Sequence, residues 1–129
     1  MNQSKLQVQW GRCFSEPVLR NHEVWCGLFR VDVDDRMFDT LEGVYIIWSG
    51  GSSPGYVRVG QGLIREGIVV DRLNPAVLAF QADDLFVTWA AVPAEVRDGV
   101  AQYLVHRLQP RAGDLRRDVA PIPINMPRE

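Results

Sequence analysis

The sequence predicts a small α+β domain: a three-stranded, mostly antiparallel sheet flanked by helices and preceded by an N-terminal extension. Three observations lead there. Residues 44–48 and 56–59 are β-branched and aromatic runs separated by Ser49-Gly50-Gly51-Ser52-Ser53-Pro54-Gly55, the composition of a β-hairpin with a loop that no strand would carry. Leu85-Phe86-Val87 with Thr88-Trp89 is a continuous apolar run, as in a strand buried on both faces. Val96, Val100, Tyr103, Leu104 and Leu108 recur at i, i+4, i+7, i+8 and i+12, one apolar helix face.

In chain order, residues 6–10 (LQVQW) alternate like a short strand, and Ser15-Glu16-Pro17 opens a short helix over Val18-Leu19. In EVWCGLFRVDV, residues 23–33, Leu28, Arg30 and Asp32 alternate with Phe29, Val31 and Val33, which predicts a strand. Asp34-Asp35-Arg36 ends it as a polar turn, because VDVDDR lacks the Gly and distal Glu of a calcium loop. The hairpin closes at Gly60-Gln61-Gly62, where backbone can turn sharply or approach another group. A helix follows over residues 63–73, with Leu63, Ile64 and Ile68 at helical spacing and Gly67 interrupting it. Pro75 starts a second short helix, residues 83–92 form the buried strand, and residues 93–108 form the longest helix, with Pro93 in the first turn, Gly99 on the polar side and Pro110 as the stop. Pro121, Pro123 and Pro127 alternate with Ile122, Ile124 and Met126, which predicts an extended segment laid along the surface. The organisation is an extension over 1–40 packed on the core, a domain over 41–115 and a tail over 116–129.

With 129 residues, 47% hydrophobic and 23% charged, the chain suits one soluble globular domain. A formal net charge of −2 provides no global basic field, so nucleic acid would need a local patch. Lys5 is the only lysine; the arginine excess is consistent with phosphate or carboxylate recognition and equally with a compositional bias. MNQSKLQVQW lacks the cationic start and apolar core of a signal peptide, and no apolar run reaches a membrane span of roughly 20 residues. Cys13 and Cys26 match no metal or redox spacing, so free buried thiols in a reducing cytoplasm are expected. His22 and His106 have no partner in the sequence, and Arg116-Arg117 beside Asp114 and Asp118 reads as a solvated turn.

Gly43-Val44-Tyr45, Arg58-Val59-Gly60 on the paired strand, a helix directly after it, the strand Val87-Thr88-Trp89-Ala90 and a helix ending in Leu108-Gln109-Pro110 together resemble the GIY-YIG nuclease domain over residues 41–115. The tail resembles that of a bacterial subgroup with a proline-rich extension. The resemblance implies divalent-metal-assisted cleavage of DNA, with Mg2+ or Mn2+ as the ion in an active member; such chemistry needs a metal to polarise the phosphoryl group and a cation against developing charge. It assigns the first motif tyrosine to Tyr45, which would orient the attacking water. The second motif tyrosine falls on Arg58, with Tyr56 two residues earlier and expected on the same strand face. The helix arginine falls on Gly67, leaving Arg65 and Arg72 as stand-ins, and the metal-binding Glu falls on Ala101, with Gln102 beside it.

The implied catalytic set is Tyr45, Tyr56, Arg58 and Arg65, and the implied nucleic-acid contacts are Arg58, Arg65 and Arg72. No metal site is expected, Asp98 being the acid nearest to Ala101. The expected function is a catalytically impaired endonuclease-superfamily domain that retains a DNA-binding groove. Two alternatives stay open: an active metal-dependent nuclease rebuilt around Asp98 or Glu66, and a protein-binding or regulatory module on a repurposed nuclease fold.

Overall fold

Val44-Tyr45-Ile46-Ile47 has no polar side to turn to water, and it occupies the centre of the sheet. The computed structural model describes residues 5–11, 13–14, 23–51, 54–112 and 119–127, with backbone alone at 13, 14, 23 and 24. The helix expected around 15–19, His22 and the charge run at 114–118 lie outside the described residues. The elements are β1 (Cys13–Phe14), β2 (Glu23–Val24), β3 (Cys26–Gly27), β4 (Glu42–Ser49), β5 (Gly55–Leu63), α1 (Ile64–Asp71), α2 (Pro75–Leu78), β6 (Leu85–Ala91) and α3 (Ala94–Leu108). β1 and β2 pair with each other, and the main sheet is antiparallel in the order β3-β6-β4-β5.

The three-stranded expectation is corrected to four strands. β3 has two residues, Cys26 opposite Val87 and Gly27 opposite Phe86, too few to show a period. Of the strand expected over 23–33, only β2 and β3 form, and the chain turns after Gly27, whose carbonyl accepts from the N–H groups of both Arg30 and Val31. Beyond β3 the edge of β6 is met by Gly11, whose N–H donates to the Trp89 carbonyl at 2.7 Å while its own carbonyl accepts from the Thr88 hydroxyl at 2.6 Å. Residues 6–10 form no strand; Leu6 makes a single parallel bridge to Ile124. The hairpin continues past Gly60 to Leu63.

Alternation along the strands divides the interior into two layers. Val44, Ile46, Val59 and Ala90 face α3, packing with Val100, Ala101, Leu104 and Ile124. Tyr45, Ile47, Val87 and Trp89 face α1, packing with Leu28, Phe38, Ile64 and Ile68. Each fully buried large aliphatic side chain contributes about 1.5–3 kcal/mol, so the double-faced core is the main stabilising term.

The β4–β5 pairing carries an irregularity that re-aims side chains. Ile47 lies opposite Arg58 and Trp48 opposite Tyr56, so Val57 is an extra residue. Val57 accordingly joins Ile47 in the α1-facing core. Tyr56 is thereby on the face of Trp48, and Arg58 on the face of Ile47; the expectation that Tyr56 and Arg58 share a strand face is corrected by this bulge.

The long helix begins and ends as expected, Gln109 closing it in the left-handed region at φ 49° before Pro110. Its polar side is not where the spacing puts it. Gly99 is buried beneath the C-terminal tail, where its carbonyl accepts from the Ile122 N–H at 2.9 Å and a Cβ would stand 2.5 Å from Ile122 Cδ1. The tail is likewise more than a surface strap: Ile124 is fully buried, and the Asn125 side chain accepts from the Val8 N–H and donates to the Val8 carbonyl. A non-polar residue in an irregular segment buries when neighbouring segments satisfy the backbone around it: Leu6 N–H and Trp10 Nε1 donate to the carbonyls of Pro123 and Asn125, and Gly99 accepts from Ile122.

The free-thiol expectation is corrected as well. Cys26 is disulfide-bonded, no described cysteine is free, and the sequence has one other cysteine, Cys13. The β1–β2 register sets position 13 opposite Val24, two residues before Cys26, a proximity that linear spacing does not reveal. The thiol argument for a cytoplasmic location falls with it. No helix among the described residues is long and apolar enough to cross a membrane. Unreduced protein is expected to take up no iodoacetamide on mass spectrometry. Reduction should lower the urea-derived unfolding free energy by about 2–4 kcal/mol.

Candidate functional site

The site region lies where β4, β5 and α1 meet. The Tyr45 ring is slotted between two glycines: a Cβ at Gly60 or at Gly67 would overlap it, the Gly67 position standing 2.8 Å from the Tyr45 hydroxyl. Gly67, which interrupts the helical pattern, therefore makes room for the tyrosine. At the position where the resemblance calls for an arginine, a side chain would displace the ring.

The Tyr45 hydroxyl donates to Asp71 Oδ2 at 2.5 Å, and Arg58 Nε donates to the same oxygen at 2.8 Å. Asn74 Nδ2 donates to the other carboxylate oxygen at 3.2 Å. Asp71 is 0% exposed and Tyr45 3%, while the Arg58 side chain keeps 20% of its surface. A buried carboxylate is tolerable when a cation and further donors satisfy it, and all three are present. Burial first, then the hydrogen bond and charge of Asp71, hold the Tyr45 phenol well above its ordinary value. For Arg58, burial opposes the charged form, but the carboxylate of Asp71 and its contact with Tyr45 outweigh it and raise the guanidinium above its usual value. Tyr45 is thus a neutral donor, its proton committed to a carboxylate, and not a group poised to activate water.

The other predicted cations are engaged as well. Arg65 donates through Nε to the Val33 carbonyl at 2.6 Å and through Nη2 to the Asp35 carbonyl and Asp39 Oδ1. Arg72 donates to the Leu28 carbonyl at 2.9 Å and the Val31 carbonyl at 2.6 Å. Both tie the irregular stretch 28–39, which lacks ladder partners, to α1; a planar multi-donor fork does this where an ammonium could not span two carbonyls.

The remaining expectations separate in space. Tyr56 is on the opposite sheet face and 39% exposed. Glu66 and Asp98 are exposed on α1 and α3. Ala101 is 1% exposed within the α3-facing core, across the sheet from Tyr45. His106 is exposed. The position the resemblance gives to the metal ligand does not fit a divalent ion, since the Ala101 side chain has no donor atom, and Asp71 already accepts hydrogen bonds from Tyr45, Arg58 and Asn74.

Asp71 was the residue to find, and its signal is present in the sequence. Ile64, Ile68 and Asp71 stand at i, i+4 and i+7, so an acid occupies the apolar stripe of a helix and ends that helix, where the dipole disfavours an anion. A charge so placed needs a partner. No protein-family model, curated protein or solved structure matches the chain.

The network yields predictions for unfolding in urea. Asp71→Ala strands the partly buried Arg58 charge and should cost about 3 kcal/mol, against about 1–2 kcal/mol for Tyr45→Phe. Gly67→Ala should destabilise even though the same change in an open helix stabilises by up to about 1 kcal/mol. A raised phenol pKa leaves the Tyr45 contribution complete below the ordinary tyrosine value near 10 and progressively lost as pH climbs towards the folded value. Above about pH 10, native stability should therefore fall more steeply than that of Tyr45→Phe, and the phenolate absorbance difference between the two folded proteins should be absent there.

Proposed function

We propose that this chain is a GIY-YIG-like domain that binds a protein partner and does not hydrolyse phosphodiesters. The observation that carries the proposal is the Tyr45–Asp71–Arg58 network: the tyrosine and the cation that hydrolysis would use are both committed to one fully buried carboxylate. Ala101 adds support, since the position the resemblance gives to a metal-binding carboxylate is an apolar contact on the other side of the sheet. The choice of a protein over a nucleic acid rests on charge. Arg58, Arg65 and Arg72 are bonded to protein acceptors, and the net charge of −2 adds no field to replace them.

Incubation with Mg2+ or Mn2+ and supercoiled, single-stranded or branched DNA should leave the DNA intact. Metal-dependent nicking that disappears in Tyr45→Phe would overturn the non-hydrolytic reading. In fluorescence anisotropy, labelled DNA should show no saturable binding at low salt. Binding that weakens steeply with salt and is reduced in Arg65→Gln and Arg72→Gln would instead establish the DNA-groove alternative.

A further inference from the structure

A hollow of about 490 Å³ opens where β3 meets β6, a size that suits one small ligand. Trp25, Phe29 and Phe86 give it aromatic surface, and Arg30 and Asp84 give it two opposite charges. Phe86 lies opposite Gly27 in the sheet, and Trp48 fixes two of the rings, meeting Trp25 edge-on at 5.1 Å and stacking on Phe86 at 5.7 Å. Phe29 follows in the turn after β3 and is 43% exposed. Arg30 sits over Gly27: its N–H donates to the Gly27 carbonyl at 3.1 Å, and its Cγ stands 3.6 Å from where a Gly27 Cβ would be.

Charge and backbone conformation together specify a ligand chemistry. Arg58, Arg65, Arg72 and Arg97 all donate to protein acceptors, but neither Arg30 nor Asp84 has a side-chain partner among the described residues, and the two form no ion pair with each other. Asp84 sits at φ 50° and ψ 107°, a conformation suited to glycine, and the Gly50 N–H holds the turn there by donating to the Asp83 and Asp84 carbonyls, each at 3.0 Å. Glycine would relieve that strain, whereas aspartate keeps a carboxylate at the hollow. A ligand of one charge would meet a like charge on the other wall; a zwitterion answers both, and aromatic walls favour a ring. Opposite charges on one carbon and an aromatic side chain occur together in a free aromatic α-amino acid.

We propose that this hollow binds a free aromatic α-amino acid as its zwitterion, with the carboxylate on Arg30, the ammonium on Asp84 and the ring among Trp25, Phe29 and Phe86. Both charged side chains are exposed, so each contact stands at the lower end for a charged hydrogen bond, and loss of one should weaken binding roughly tenfold. The hollow shares no residue with the Tyr45–Asp71–Arg58 network, so amino-acid binding is independent of partner binding.

The test is a calorimetric titration of the full chain with L-phenylalanine, beside 2-phenylethylamine, which lacks the carboxylate, 3-phenylpropionate, which lacks the ammonium, and glycine, which lacks the ring. L-Phenylalanine should bind saturably and roughly tenfold tighter than each of the other three. Arg30→Gln should weaken L-phenylalanine roughly tenfold and leave 2-phenylethylamine unchanged, while Asp84→Asn should weaken it as much and leave 3-phenylpropionate unchanged. Asparagine tolerates positive φ and Arg30 is exposed, so both variants should keep the native unfolding midpoint. No saturable binding of L-phenylalanine at millimolar concentration would overturn the proposal, as would an affinity unchanged in either variant. Equal or tighter binding of 3-phenylpropionate would overturn it in favour of an anion site, and of 2-phenylethylamine in favour of a cation site.

Discussion

A carboxylate with no access to water, Asp71, is the constraint on which this architecture turns. An ion taken out of water costs several kcal/mol even after the protein relaxes around it, so its neighbours are not free to vary. Tyr45, Arg58 and Asn74 each give it a donor, and each comes from a different part of the chain: the central strand, the edge strand and the start of α2. Arg58, opposite Ile47 in the regular part of the β4–β5 ladder, faces the same side, and Gly60 and Gly67 leave the space that Tyr45 crosses to reach the carboxylate. One ion pair and its hydrogen bonds thus join both strands of the hairpin to α1.

That arrangement draws inward the groups a hydrolytic site would present outward. Arg65 and Arg72 continue the pattern, serving as staples for the carbonyls of a stretch that has left the sheet. The arginine excess noted in composition thus has a local physical use at these positions: two carbonyls several ångströms apart can share one planar guanidinium. On the opposite face Trp48 lies in register with Phe86 and Tyr56.

Much of the fold could be read from pattern. The hairpin, α1, the short helix at Pro75, the buried strand at Leu85–Ala91 and α3 all announce themselves through period, composition or a turn residue. What escaped has no period. A two-residue strand is below the length at which alternation means anything, and a single bulge residue, Val57, puts Tyr56 on the face opposite Arg58. Gly99 reads as polar because a helical wheel knows only one buried face, whereas the tail buries a second. Of the candidate site, Tyr45 and Arg58 are legible through the hairpin motif, whereas Asp71, whose partners lie 13 and 26 residues away, shows only as an acid in the apolar stripe of α1.

The sequence by itself determined the hydrophobic periods, the turn chemistry and hence the order and type of the main elements, because these depend on neighbours a few residues apart. Only the tertiary structure decided what Tyr45 does. Its role rests on the meeting of Asp71, 26 residues away, with Arg58 and two glycines, in the layer that also holds the disulfide-bonded Cys26. Burial, which sets the cost of a charge and the direction of a pKa shift, is a property of assembled layers, of which a helical stripe shows only one side.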